Sequence, residues 1–114
     1  GHDCGDKVLI ELARILAETT RDGDVVGRLG GEEFCLIAAD IDETDNFFEA
    51  LRDAVASLSL RFGEETLTVT VSIGVCTVSP ASENIETAIH RADLALYRAK
   101  RDGRNRVSVY EPGM

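Results

Sequence analysis

The chain has 114 residues, 44% of them apolar and 29% charged, and a net charge of −9 at neutral pH. That length suits one domain, or part of one, with a real core, and the mix is that of an ordinary soluble globular protein. The acidity argues against sequence-independent nucleic-acid binding, which needs a basic footprint, and no apolar run approaches the roughly 18 residues of a membrane helix.

In chain order, residues 6–19 are predicted to form a helix. Val8, Leu9, Leu12, Ile15 and Leu16 recur at helical spacing, with Lys7, Glu11, Arg14 and Glu18 elsewhere on the wheel. "RDGD" (21–24) is a turn signal. "VVGRL" and "EFCLIA" are short apolar runs flanking Gly-Gly-Glu, which predicts a hairpin. Residues 44–59 read as a second amphipathic helix with Phe47, Phe48, Leu51, Ala54, Val55 and Leu58 inward. "TLTVTVSIGV" alternates strictly, placing Leu67, Val69, Val71, Ile73 and Val75 on one face of a half-buried strand. A third helix is predicted over about 84–100, with Ile85, Ala88, Ile89, Ala92, Leu96 and Ala99 inward. "GRN" ends it, and "RVSVY" reads as a last strand. The order α-β-β-α-β-α-β, with one hairpin forcing antiparallel pairing, implies an α+β layer of helices packed on a sheet.

Cys4, Cys35 and Cys76 are odd in number, far apart and without C-x-x-C spacing, so zinc is not expected. Cys35 and Cys76 fall in apolar runs and read as buried free thiols. With no signal-peptide pattern, this usage fits a reducing, cytoplasmic setting.

Two clusters carry chemistry. Glu32 and Glu33 stand together where the second hairpin strand starts, so in strand geometry they point to opposite faces. Acids at hairpin tips are commonly just solvated; the functional alternative is Mg²⁺, which takes one or two carboxylates plus substrate phosphates. Gly30 and Gly31 remove side chains where another group would approach the backbone. Lys100 and Arg104 lie four apart at a helix end and could face one phosphate, or be solvated cations favoured by the helix dipole.

"GHDCGD", "RLGGEEF", "VSIGV" and "ADLALYRAKRDGRNRV", in this order and spacing, resemble the GGDEF family of diguanylate cyclase domains over residues 1 to about 109, with "GGEEF" a common form of the signature. The resemblance implies a palm-like, mostly antiparallel central sheet with helices around it, and condensation of two GTP into cyclic di-GMP, a bacterial second messenger, with release of two pyrophosphates. It implies that Gly30 and Gly31 let GTP lie on the hairpin, that Glu32 binds metal and serves or positions the base, and that Glu33 assists with Mg²⁺ or Mn²⁺. Asp6 would accept hydrogen bonds from the guanine N1–H and N2–H₂. His2 would lie near the substrate, and Lys100 and Arg104 would bind its phosphates. Each half-reaction takes a hydroxyl from the other GTP, so a homodimer is implied. Arg21 and Asp24 match the family's R-x-x-D inhibitory site for cyclic di-GMP, with Arg52 as its secondary arginine.

The family's first strand, with its metal-binding aspartate, and the loop and helix after it do not precede "GHDCGD". Residues 1–114 are therefore expected to be a single GGDEF domain, N-terminally truncated, inactive or very weak alone, from a protein with an upstream sensory or receiver domain. The alternative is a catalytically weak module that binds cyclic di-GMP or GTP.

Overall fold

The computed structural model describes residues 2–19, 25–30, 33–37, 46–77 and 84–114. Among them the elements run α1 (His2–Thr19), β1 (Val25–Gly30), β2 (Glu33–Ile37), α2 (Phe47–Ala56), β3 (Leu60–Phe62), β4 (Glu65–Leu67), β5 (Ile73–Val75), α3 (Ile85–Arg101) and β6 (Val107–Val109). The chain divides into two compact units: Gly1–Phe47 with Ser57–Val69, and Phe48–Ala56 with Thr70–Met114.

In the first unit, the apolar stripe of α1 is realised as expected: Ile15 is buried, and Val8, Leu9, Leu12 and Leu16 are half-buried. The opposite face carries Arg14, whose guanidinium meets Glu11 and Glu18, each at 2.8 Å. The helix starts four residues before the predicted boundary because Gly5 is accommodated within it. A helical glycine costs only about 1 kcal/mol relative to alanine, and the remaining turns outweigh it. The predicted hairpin forms: β1 and β2 pair antiparallel from Val25↔Ile37 to Arg28↔Phe34. The register then shifts by one, so that Gly30 opposes Glu33 and Leu29 is the extra residue of a bulge.

A second hairpin, β3–β4, pairs Leu60 with Leu67 and Phe62 with Glu65. It falls mostly in residues 60–65, between the predicted second helix (44–59) and the predicted strand that starts at Thr66, so it adds two strands to the expected order. Gly63 opens its two-residue turn at φ 64°, the left-handed backbone that such turns require.

In the second unit, α2 buries Leu51 and Val55, four residues apart on one face, while Ala54, expected inward, is exposed. The helix α3 opens on Asn84, whose side chain accepts from the Thr87 N–H at 2.9 Å, a standard N-cap. Its first turn holds Glu86 and its last holds Arg98, Lys100 and Arg101, matching both ends of the dipole. Ala88, Ala95 and Ala99 are buried on its inner face, whereas Ile85, expected inward, is 48% exposed.

The long alternating segment is not one continuous strand. Only its ends are paired, as β4 and β5, although burial alternates through Leu67, Thr68, Val69, Thr70 and Val71. β5 pairs with β6 in parallel, Ile73↔Val107 to Val75↔Val109. The ladder is flanked by Ile73 N–H donating to Arg106 O at 2.9 Å and Tyr110 N–H donating to Val75 O at 2.7 Å. Parallel pairing follows from the intervening helix, because a crossover returns the chain in its original direction. The α+β class thus stands with strand order α-β-β-α-β-β-β-α-β, and the strands pair among the described residues as three two-stranded ladders, two of them antiparallel.

The glycine of "VSIGV" has a packing reason. A Cβ at Gly74 would strike the backbone of α3 at Ala92 O and Leu96 N, and would lie 2.8 Å from Leu96 Cα. Its absence lets α3 lie directly on β5. Cys76, beside this strand, is a free thiol, half-buried rather than buried as expected; its Sγ donates to Thr77 O at 3.5 Å, at the point where the strand has already ended.

Candidate functional site

On the first unit, the hairpin closes on Gly30 opposite Glu33. Gly31 and Glu32, between them in the chain, lie outside the described residues, as do Arg21 and Asp24. His2 and Asp6 share the first turns of α1, four residues apart, and Asp6 is exposed.

On the second unit, Lys100 and Arg104 flank the end of α3. The helix stops at Arg101 and is closed by Asp102 N–H donating to Arg98 O and Arg104 N–H donating to Ala99 O, both at 2.9 Å. The second of these spans five residues, as in a Schellman cap, with Gly103 at φ 126° in the position that favours glycine. Arg104 (φ 63°) and Asn105 (φ 48°) continue in left-handed backbone, a conformation that is strained for an arginine and easier for an asparagine. The Arg106 Nε donates back to Arg104 O at 3.1 Å. Around this turn, Arg98 and Arg101 lean on Asp102 at 3.7 and 3.9 Å. Lys100 and Arg104 are exposed and pair with no carboxylate among the described residues. The cap therefore presents two cations with their charge uncommitted there, an arrangement suited to an anionic group.

Arg52, on α2, is joined to the same turn. Its Nη1 donates to Asn105 Oδ1 at 2.8 Å, and its Nε and Nη2 engage Glu49 Oε1 at 2.6 and 2.5 Å. Its side chain is only 18% exposed. The Glu49 hydrogen bond holds the guanidinium pKa above the usual arginine value, against the opposing effect of desolvation. Glu49 and Asn105 escaped the sequence reading. The i,i+3 spacing of Glu49 and Arg52 was visible on a helix, but the reach from Arg52 to Asn105 spans 53 residues and carries no local signal.

The metal expectation falls on Glu32 and Glu33. Two adjacent carboxylates are hard oxygen donors and fit Mg²⁺, which needs only one or two of them beside substrate phosphates and water. Glu33 stands at the start of β2. Among the described residues, no group of three histidines, cysteines or acids gathers to hold a metal ion. Nor is any helix there long and apolar enough to cross a membrane.

The model of the family described as "Diguanylate cyclase, GGDEF domain" matches residues 1–106. Diguanylate cyclase A of Treponema denticola is 37% identical over 111 residues, which cover 96% of this chain and 30% of that protein. Diguanylate cyclase DgcM of Escherichia coli is 45% identical over 113 residues, 94% of this chain and 26% of that one. The chain thus spans about a third or less of these relatives. Among solved structures, the diguanylate cyclase SiaD of Pseudomonas aeruginosa, in complex with its activator SiaC, superposes with a TM-score of 0.87 at 41% identity, covering 96% of this chain and 42% of that one. The GGDEF domain of DgcB from Caulobacter crescentus, in complex with c-di-GMP, gives 0.83 at 34% identity over 96% of this chain and 66% of that one. The active GGEEF domain of a diguanylate cyclase from Vibrio cholerae gives 0.83 at 35% identity, covering 99% and 72%.

Proposed function

The chain belongs to the GGDEF family of diguanylate cyclase domains, and from that membership we propose that it supplies one half-site of a cyclase condensing two GTP into cyclic di-GMP and two pyrophosphates. The observation that supports this most is the β1–β2 hairpin, with Gly30 opposite Glu33 at its end, inside a family match over residues 1–106. The active GGEEF domain from Vibrio cholerae carries the same variant of the signature.

In this reading Asp6 accepts hydrogen bonds from the guanine N1–H and N2–H₂, an edge that adenine lacks. Gly30 and Gly31 leave room for the nucleotide on the hairpin, with His2 nearby. Lys100 and Arg104 bind the phosphates, drawing on the uncommitted charge at the end of α3. Glu32 takes, or positions the base that takes, the proton of a 3′-hydroxyl as the hydroxyl oxygen bonds to the α-phosphorus of the facing GTP and the bond to pyrophosphate breaks. A second, symmetric step closes the ring. Mg²⁺ (or Mn²⁺), held by Glu32 and Glu33, would neutralise charge on the phosphates. Each domain brings only one nucleotide, so two copies meet face to face. Family membership also assigns Arg21 and Asp24, as R-x-x-D, to inhibition by cyclic di-GMP, with Arg52 as the secondary arginine; the Caulobacter domain was solved in complex with c-di-GMP. A sensory or receiver domain of the parent protein governs the encounter.

The test is turnover by the full-length protein carrying this domain, given GTP and Mg²⁺, with the nucleotides separated and compared with Glu32→Ala. Cyclic di-GMP and pyrophosphate forming only with Glu32 present is the expected result. Binding of cyclic di-GMP without any turnover would replace the enzyme with a sensor.

A further inference from the structure

We propose that Asn105 is a positioning residue for the phosphate-binding turn, held in place from α2 by Arg52; this rests on the reading of Lys100 and Arg104 given above. The turn after α3 is made of Gly103, Arg104 and Asn105, all at positive φ. Its start is anchored by Arg104 N–H on Ala99 O, and its exit by Arg106 Nε on Arg104 O. These bonds come from the turn's own neighbours, and Ile73 N–H on Arg106 O, at 2.9 Å, ties the residue just past the turn to β5. The Arg52 Nη1 to Asn105 Oδ1 bond, at 2.8 Å, joins the Asn105 side chain itself to α2.

The guanidinium has a second partner on its own helix: Nε and Nη2 both meet one oxygen of Glu49, Oε1, three residues back. Only 18% of the Arg52 side chain is exposed, although its two partners stand at the surface. Asparagine suits the receiving end for two separate reasons. Its carbonyl accepts from an arginine, and its backbone tolerates φ 48°. The preceding residue, Arg104, adopts a left-handed backbone that is unfavourable for it. Fixing Asn105 fixes the Arg104 Cα beside it, and hence where its guanidinium can reach. Arg52 is thereby a brace for the turn as well as a residue of the expected inhibitory site.

The experiment measures binding of a GTP analogue, with methylene replacing the α,β-bridging oxygen, to the full-length protein in Mg²⁺ by calorimetry. Asn105→Gly keeps the left-handed backbone and removes the acceptor; Asn105→Asp keeps both. Asn105→Gly is expected to weaken the analogue about tenfold, Asn105→Asp to restore it, and Asn105→Gly to have no further effect once Arg104→Ala is present. Arg52→Met, which leaves the turn's own residues intact, is expected to repeat the pattern. Binding by Asn105→Gly equal to wild type, or the same loss with and without Arg104, overturns the proposal, the latter because the effect would then be general destabilisation. A wild-type protein that binds no analogue overturns the cyclase reading and this inference with it. A wild type that binds, with Asn105→Gly unaltered, overturns this inference alone.

Discussion

Replacing Gly74 with alanine inserts one methyl group between β5 and α3. The new Cβ would meet Ala92 O and Leu96 N, and would lie 2.8 Å from Leu96 Cα. All three are backbone atoms within a helix, so no side-chain rotation relieves the clash. Carbon atoms rest at about 3.5–4.0 Å, so α3 must withdraw from β5 by at least ~0.7 Å. A gap of that size forfeits about a quarter to a half of each contact across the face. The expected cost is about 3 kcal/mol, the upper part of the overpacking range. At ~4–8 °C per kcal/mol for a domain of this size, the midpoint should fall by roughly 12 °C or more. Calorimetric unfolding of the protein carrying Gly74→Ala measures it directly. A fall of less than ~2 °C would mean that α3 and β5 are not held this closely, and the packing argument would fail.

Asn84→Ala should cost about 1 kcal/mol by removing the acceptor for Thr87 N–H, with Asn84→Asp near neutral, as urea unfolding would read. Gly103→Ala should cost roughly 1–2 kcal/mol, because φ 126° is unfavourable for alanine and its Cβ would crowd Arg106 Nη2 at 2.8 Å; the same unfolding curves would report it. Arg14→Ala should leave the unfolding midpoint close to that of wild type, since its pairs with Glu11 and Glu18 are exposed; a marked fall in unfolding experiments would contradict the placing of that face in solvent. The Glu49 hydrogen bond raises the Arg52 pKa, so the stability it adds is fully present below the ordinary arginine value. It is lost only as pH climbs through the raised one. The stability difference between wild type and Arg52→Met should therefore stay constant from pH ~7 to ~10.

The acidic hairpin and the cationic helix end were legible because each is written in adjacent residues: two glycines and two acids in one case, a helix stop flanked by Lys100 and Arg104 in the other. The Arg52–Asn105 link was not, since each residue also has an ordinary local explanation, a surface helix arginine and a turn asparagine. Alternation across Leu67–Val75 misled in a similar way. Period-two burial reports which face is covered, and it persists through Val69 and Val71 without reporting where pairing begins and ends. Ile85 shows the corresponding error on a helix, because a residue in the first turn can keep the periodicity of the stripe and still stand beyond the surface that covers it.

By itself, then, the sequence determined the helices, the first hairpin and the order of the family motifs, all of which depend on residues within a turn or two of one another. Tertiary structure alone decided the parallel pairing of Ile73–Val75 with Val107–Val109, the need for glycine at position 74, and the anchoring of Asn105 by Arg52. Each joins segments separated by tens of residues, and such contacts are selected by packing and geometry that no local pattern encodes.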